Sequence, residues 1–356
     1  MFRWGIFGTG QVARKFVLGL RAAADMRATV VASRNPANAQ VFARELGGTA
    51  AASYAAAAAS AEVDAVYIAT PPSEHALHAL LCLSHGKPVL IEKPFAATAA
   101  DAQAIVAAAA EKNLFCMEAM WTRFLPATRA LKAMVADGTI GEPRALSGAF
   151  CAADVPDARK NIFNPALGGG ALLHRGVYPL SLACHLLGPV ADVSGVAHIG
   201  ETGVDEDVSL SLRHESGALS TVRASLRAAA PLDLVVAGTK GTIAVEAPVF
   251  RPFRMRLSRT TPRVGEGKGG GRLESVKEGG AAQRAQQELG WAVRLLRGNG
   301  KRLMHAYAGN GYHYQAEEVR ARISAGERES PLMPLAESLH IVEVMERARA
   351  QWTAHA

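Results

Sequence analysis

Two stretches of the chain carry side chains able to handle a proton beside a reacting carbon. In "GGGALLHRGVYPL" (168–180), three glycines lead into an apolar run that holds His174 and Tyr178 four residues apart. On a helix that spacing puts both rings on one face. In "VLIEKPFA" an apolar strand-like run ends in Glu92 and Lys93, at the carboxyl edge where open α/β sheets hold their ligands. Hydride delivery to a carbonyl builds negative charge on oxygen, so an ammonium (Lys93) and a proton-donating phenol (Tyr178) suit that reaction. The same ammonium would pull the Tyr178 pKa down towards a useful range. Plainer readings stand beside these: Tyr178 as a packed aromatic, Lys93 as an exposed strand-end lysine.

The elements that must position these groups follow from the pattern around them. From residue 3 to about 122, the runs "RWGIFG", "ATVVAS", "DAVYIATP", "PVLIEKP" and "LFCMEAMW" alternate with alanine-rich segments, which predicts a parallel sheet with helices on both faces. The tract "AAASYAAAAAS" reads as a crossover helix, since alanine is the best helix former. "GIFGTGQVARKF" sets Gly8, Gly10 and Ala13 as G-x-G-x-x-A between the first strand and a helix. That is a dinucleotide-binding turn, with Thr9, Gln11 and Val12 beside the pyrophosphate at the helix N-terminus. The second strand ends in Ser33 and Arg34, with no carboxylate to accept the adenosine 2′-OH. A hydroxyl and a guanidinium suit a 2′-phosphate, so NADP(H) is expected ahead of NAD(H); the alternative is that Arg34 is merely an exposed cation.

At 356 residues and 49% hydrophobic content, the chain can bury a large core, and its length favours two domains. They are expected at 1–122, a Rossmann domain binding the dinucleotide, and at 123–356. After "GTIGEPRAL", runs such as "DVSLSLRH", "GALSTVRASLRA", "LDLVVAG" and "GTIAVEAP" resemble an antiparallel meander. The Gly/Lys-rich segment at 264–280 reads as a mobile loop. Helical pattern returns in "AQRAQQELGWAVRLLRG", "YQAEEVRARIS" and "LAESLHIVEVMERARAQW", the last expected to pack back on the first domain. The net charge of +7 resides in residues 251–302, which hold 13 Lys/Arg against 4 Asp/Glu. Without interleaved aromatics this reads as a solvated basic edge, not a nucleic-acid surface. Cys82, Cys116, Cys151 and Cys184 form no C-x-x-C pair, as in a protein with reduced thiols. No metal site is expected. No apolar run suffices to span a bilayer, and "MFRWGIFG" begins a strand at once with no room for a leader. A cytoplasmic location is therefore expected.

Together "GIFGTGQVA", "ATPPSEH" (69–75), "VLIEKPFA", "MEAMWTRFLPA" (117–127), "GGGALL", "GYHYQAEEV" (311–319) and "SPLMPLAES" (330–338) cover nearly the whole chain. The chain resembles the Gfo/Idh/MocA oxidoreductases, and within them the dimeric dihydrodiol dehydrogenase and glucose–fructose oxidoreductase branch. That resemblance implies an α/β Rossmann domain followed by an α+β domain with a large, mostly antiparallel open sheet. It also implies an NADP(H)-dependent oxidoreductase that moves hydride between nicotinamide and a sugar-like or cyclic diol/carbonyl substrate. By the same resemblance, Lys93 contacts the nicotinamide ribose and the reacting oxygen, and Tyr178 is the acid/base. The expected cofactor surface takes in Thr70, Pro71, Pro72, His75, Glu92, Lys93, Trp121 and Arg123, although Trp121 reads equally as core and Arg123 as a domain-interface ion pair. The open sheet, whose outer face needs a cover, implies a homo-oligomer, a dimer or larger.

At residue 174 the sequence departs from this branch, which normally reads "GGGALLD-x-G-x-Y". Where a carboxylate is usual, this chain has His174 followed by Arg175. A neutral imidazole accepts through one nitrogen only, and a protonated one not at all. Three readings stay open: an alternative acid/base or substrate ligand titrating near neutrality, a spectator beside Lys93 and Tyr178, or a site that has lost redox chemistry and leaves a catalytically silent dinucleotide-binding sensor or binding protein.

Overall fold

In the computed structural model, which describes residues 1–230, 232–260, 284 and 300–353, the alternating N-terminal runs form a six-stranded parallel sheet in the order β3-β2-β1-β4-β5-β6. The strands are β1 (Phe2–Phe7), β2 (Met26–Ala32), β3 (Thr49–Ala50), β4 (Ala65–Ile68), β5 (Val89–Glu92) and β6 (Cys116–Ala119). Each of the last three is buried along its whole length, which is why they read as unbroken apolar runs. Five helices cross between them: α1 (Gln11–Leu20), α2 (Pro36–Leu46), α3 (Tyr54–Ala58), α4 (His75–Ser84) and α5 (Ala99–Lys112). Their starts follow local chemistry: Asn35, Ser53 and Thr98 each accept a backbone N–H of the first turn of α2, α3 and α5 respectively. The alanine tract gives a shorter helix than its composition suggests. Its first residue, Ala50, belongs to β3, and Ser53 sets the cap of α3. Strand order reverses between β1 and β4, opening a crevice at their carboxyl ends, where α/β sheets take ligands.

The second half builds an eight-stranded sheet. Its strands are β7 (Pro143–Cys151), β8 (Val190–Ile199), β9 (Asp205–His214), β10 (Leu219–Ser225), β11 (Leu234–Gly238), β12 (Gly241–Val245), β13 (Arg254–Arg259) and β14 (Lys301–Met304). The order is β14-β13-β12-β11-β7-β10-β9-β8. The expected meander is thus two meanders held apart by β7, which pairs parallel to β10 and antiparallel to β11. Along β9, Val208, Leu210 and Leu212 are buried while Ser209, Ser211 and Arg213 are exposed, the alternation of a sheet with one packed face. Against that face lie α6 (Pro126–Ala136) and α7 (Val177–Leu187), with Leu131, Val135, Leu182 and Leu186 meeting Leu146, Leu234, Val236 and Ile243.

Helix α8 (His313–Ser324) returns to α1, and α9 (Leu335–Thr353) lies against α5 and β8. Side chains of α9 bond the β8 backbone: Gln351 with Val193 and Gly195, Trp352 with Gly195, and Arg347 with Ala191. The expected loop at 264–280 and the helical pattern "AQRAQQELGWAVRLLRG" lie outside the described residues, as does most of the basic stretch. Among the described residues, no helix is long and apolar enough to cross a membrane, and no His/Cys/Asp/Glu group could hold a metal ion. All four cysteines are buried and unpaired.

Candidate active site

The glycine turn after β1 has a steric reason at each glycine. Gly8 sits at φ +95°, and a Cβ there would stand 2.5 Å from the Ala69 carbonyl oxygen. Gly10 has nothing within 4 Å of where its Cβ would be, so the backbone before α1 is open to a ligand. Gln11 is exposed and Thr9 and Val12 are half-buried beside it. The turn is tied to the end of β2: Gly8 N–H donates to Ala32 O at 2.9 Å and Thr9 Oγ1 to Ser33 Oγ at 3.4 Å. Beyond Ser33, Arg34 is exposed, and its backbone N–H donates to the Tyr54 hydroxyl at 3.1 Å.

At the end of β4, the expected cofactor surface is partly spent on structure. Thr70 Oγ1 lies 3.1 Å from His78 Nδ1. Pro71 is half-buried and opens the short turn Pro72–Glu74. Pro72 is buried under Gly168, where an added Cβ would stand 2.8 Å from Pro72 Cβ. His75, expected near the nicotinamide or substrate, is 1% exposed. Its ring nitrogens face Pro94 O at 2.9 Å and Thr70 O at 3.0 Å. Burial holds its pKa down at about 4, and the neutral ring, with one N–H, donates to one of these two carbonyls while it fills the space between the ends of β4 and β5.

Glu92 also serves from behind. It accepts the Tyr67 O–H and, at 3.2 Å, the Lys93 backbone N–H, while burial raises its pKa. Lys93 Nζ donates to His174 O at 3.0 Å and lies 5.1 Å from the Tyr178 ring centroid. Burial lowers the Lys93 pKa, while the carboxylates of Glu92 and Glu118 raise it. Glu118 faces the same side as Lys93, since it pairs with Ile91 two residues upstream; burial pushes its own carboxyl up to about 7.

His174 lies in a wide turn, Leu172–Gly176, of π-helical form that feeds α7, with Val177 N–H reaching back to Leu172 O. Asp205 braces its start by accepting the Leu172 N–H at 2.7 Å. Gly170, at φ +120°, is required there because a Cβ would collide with that carboxylate. His174 Nε2 donates to Gly168 O at 3.2 Å, which leaves Nδ1 as the acceptor. Burial, then the Lys93 charge, hold the His174 pKa down at about 3. Of the three readings of His174, the one with titration near neutrality loses support, since burial favours the neutral ring.

Tyr178 is 7% exposed and its hydroxyl accepts the Trp121 indole N–H at 3.4 Å. Its pKa is raised, by burial and then by Glu92, the reverse of the expected depression by Lys93. The ammonium lies over the ring face, 5.1 Å from its centroid, and donates to His174 O. Phe150 and Phe250, stacked at 4.7 Å, flank the phenol at 5.5 and 6.1 Å. Trp121 stacks on Tyr312 at 4.5 Å. Arg123, expected on the cofactor surface, is fully buried elsewhere. It donates to Ser181 Oγ (2.9 Å), Ser181 O (2.7 Å) and Leu332 O (3.2 Å), and pairs with Glu337 at 2.7 Å. It is the interface ion pair, joining the segment after β6 to α7 and α9.

This geometry meets a matching record of relatives. A profile described as "Oxidoreductase family, NAD-binding Rossmann fold" matches residues 2–120, and the GFO/IDH/MocA C-terminal domain matches residues 128–244. The chain belongs to the Gfo/Idh/MocA family. It is similar to the mouse trans-1,2-dihydrobenzene-1,2-diol dehydrogenase, 32% identical with 98% of this chain and 96% of that protein covered. The D-xylose 1-dehydrogenase (NADP(+)) of Hypocrea jecorina is 30% identical, with 98% and 91% covered. In fold, it is similar to a levoglucosan dehydrogenase in complex with NADH and levoglucosan, with TM-score 0.82, 19% identity and 100% and 98% of the chains covered. A 3-ketoreductase from Actinomadura kijaniata with NADP and TDP-benzene gives TM-score 0.78 at 23% identity, with 98% and 97% covered.

As a Gfo/Idh/MocA protein, the chain is an NAD(P)-dependent oxidoreductase. Its site includes groups that sequence reasoning passed over. Tyr67 sits in a strand that reads as plain core, and Asp205 lies 33 residues from the N–H it accepts. Arg175 carries no sequence signal beyond its place next to His174. It is buried, pairs with Asp154, bonds Ala152 O and Ser225 O, and lies over Phe150. No local signal marks these partners, since all are far apart in sequence.

Proposed function

We propose that the protein transfers hydride between NADP(H) and a carbinol or carbonyl carbon of a ring-shaped substrate, either sugar-like or a cyclic diol. The observation that carries this reading is the convergence of Lys93 Nζ on His174 O at 3.0 Å and on the Tyr178 ring at 5.1 Å. The cofactor would fit the open backbone at Gly10, the α1 N-terminus and the carboxylate-free end of β2, and when bound it would supply or accept the hydride. In the reducing direction Tyr178, held as the phenol, gives its proton to the carbonyl oxygen while the Lys93 ammonium offsets the charge that develops there. In the oxidising direction the same groups take the proton back. Phe150, Phe250 and Trp121 surround the phenol with apolar surface that keeps water from the reacting atoms. His174 Nδ1 offers one acceptor to a substrate hydroxyl.

The His174 substitution is compatible with activity because Lys93 is held by the main-chain oxygen of residue 174, which any side chain leaves in place. That favours an enzyme over the silent sensor. Ser33 and Arg34 support NADP(H) over NAD(H). A homo-oligomer covering the outer face of the second sheet, in the cytoplasm, completes the proposal.

The test is calorimetric titration with NADPH and NADH, repeated on Arg34→Ala, followed by cofactor absorbance with a panel of polyols, ketoses and cyclic diols. The expected result is preference for NADPH, lost by ~10- to 100-fold in Arg34→Ala, and turnover with at least one substrate. Absence of binding by either nucleotide overturns the reading; tight NADPH binding without turnover across the panel turns it into the sensor.

A further inference from the structure

Tyr54 is a side chain that neither the glycine turn nor the catalytic cluster accounts for. The short pairing of β3 with Val30 and Val31 carries the chain alongside β2, and Ser53 then starts α3 with Tyr54 as its first residue. The ring is wedged between two others, 4.9 Å from Phe7 at the end of β1 and 4.1 Å from His78 on α4. His78 in turn bonds Thr70 after β4. The ring therefore braces three strand ends around the crevice. Its hydroxyl accepts the Arg34 backbone N–H at 3.1 Å, and among the described residues its own proton has no acceptor. Burial raises its pKa, so that proton is present at neutral pH. The hydroxyl thus adjoins the backbone of Arg34, the residue proposed to face a 2′-phosphate, and feels the charges of both Arg34 and Glu74.

We propose that Tyr54 is a specificity-determining residue for the dinucleotide, fixing the Arg34 backbone and donating its free O–H to a phosphate monoester on the adenosine 2′ position. The inference rests on the reading that the adenosine end lies against Ser33 and Arg34. A dianionic phosphate accepts strongly from a neutral phenol, whereas a 2′-hydroxyl gains less from the same donor. Tyr54 therefore discriminates, and does not merely bind.

The experiment compares wild type with Tyr54→Phe, which keeps the ring contacts with Phe7 and His78 and removes only the oxygen. Dissociation constants are measured by calorimetry for NADPH, NADH, adenosine 2′,5′-bisphosphate and 5′-AMP. The NADH and 5′-AMP constants report whether the crevice is still built. The expected result is ~10-fold weaker NADPH and bisphosphate binding, with NADH and 5′-AMP changed by less than ~3-fold. Equal weakening of all four, or no change in any, overturns the role of Tyr54 while a wild-type preference for NADPH leaves the cofactor reading standing. Absence of that preference in wild type overturns both. Tyr54→Leu, which discards the ring as well, is expected to weaken all four ligands; if it weakens only the 2′-phosphorylated pair, the ring is not the brace and the account of Tyr54 fails.

Discussion

The two ends of the crevice are built on opposite plans. At the proposed adenosine end, Gly10 faces open space and Arg34 is exposed, a surface on which bonds would form with a bound nucleotide. At the proposed catalytic end, Lys93, His174, Tyr178 and Glu92 are packed together and already bonded to the backbone or to neighbouring side chains. The first plan buys affinity and discrimination, because bonds form only on binding. The second favours rate, because fixed dipoles and charges need no reorganisation when charge develops on the substrate oxygen. Loss of a group at one end should therefore move a different observable from loss at the other.

The sharpest contrast is Tyr178→Phe. It removes the proton donor and the acceptor of the Trp121 N–H, so kcat should fall ~100-fold or more while the NADPH dissociation constant stays within ~3-fold. Arg34→Ala should do the reverse. If Tyr178→Phe weakens cofactor binding as much as turnover, the two ends are not separate.

A smaller effect concerns His174 and pH. Its folded pKa of about 3 lies below the unfolded value of about 6.5. The folded state thus binds fewer protons across that window, and this group's contribution to stability is intact above pH ~6.5 and is lost as pH falls towards 3. Asp205, raised to about 6, acts with the opposite slope between its unfolded value of about 3.9 and its folded value. The clean comparison is therefore wild type against His174→Asn: thermal melting should fall less steeply on acidification in the variant. In activity, kcat/KM should show no limb assignable to His174 between about pH 5 and 8. A limb near 6.5 that vanishes in His174→Asn would mean the ring titrates in the working enzyme.

How far the sequence could be read follows from the range of the interactions. The glycine turn, the end of β2 and the lysine after β5 are local, each set by a few consecutive residues with one steric or electrostatic task, and they stand where their spacing suggested. The alternation in β9 and β10 likewise announced strands with one buried face. What escaped depends on partners far along the chain. β7 enters the second sheet between β10 and β11, a pairing that no alternation encodes, and β3 is two residues long. His75 and Arg123 read as candidate site residues because they fall near the expected cofactor edge, Arg123 equally as an interface ion pair. Only folding reveals that Pro94 O and Thr70 O claim one, and that Ser181, Leu332 and Glu337 claim the other. The pKa shifts of His174 and Tyr178 escape the sequence for the same reason, since burial is a property of the assembled site.

The central claim is that Lys93, held by the main chain of residue 174, serves the chemical step more than cofactor capture. Lys93→Met keeps most of the side-chain length and removes the charge. NADPH binding by calorimetry and a single turnover with a substrate found in the panel, measured on the same preparation, test it directly. The account predicts a ~100- to 1,000-fold slower hydride step with NADPH affinity within ~3-fold of wild type. An unchanged hydride rate would contradict it, and so would a loss of activity fully explained by lost NADPH binding.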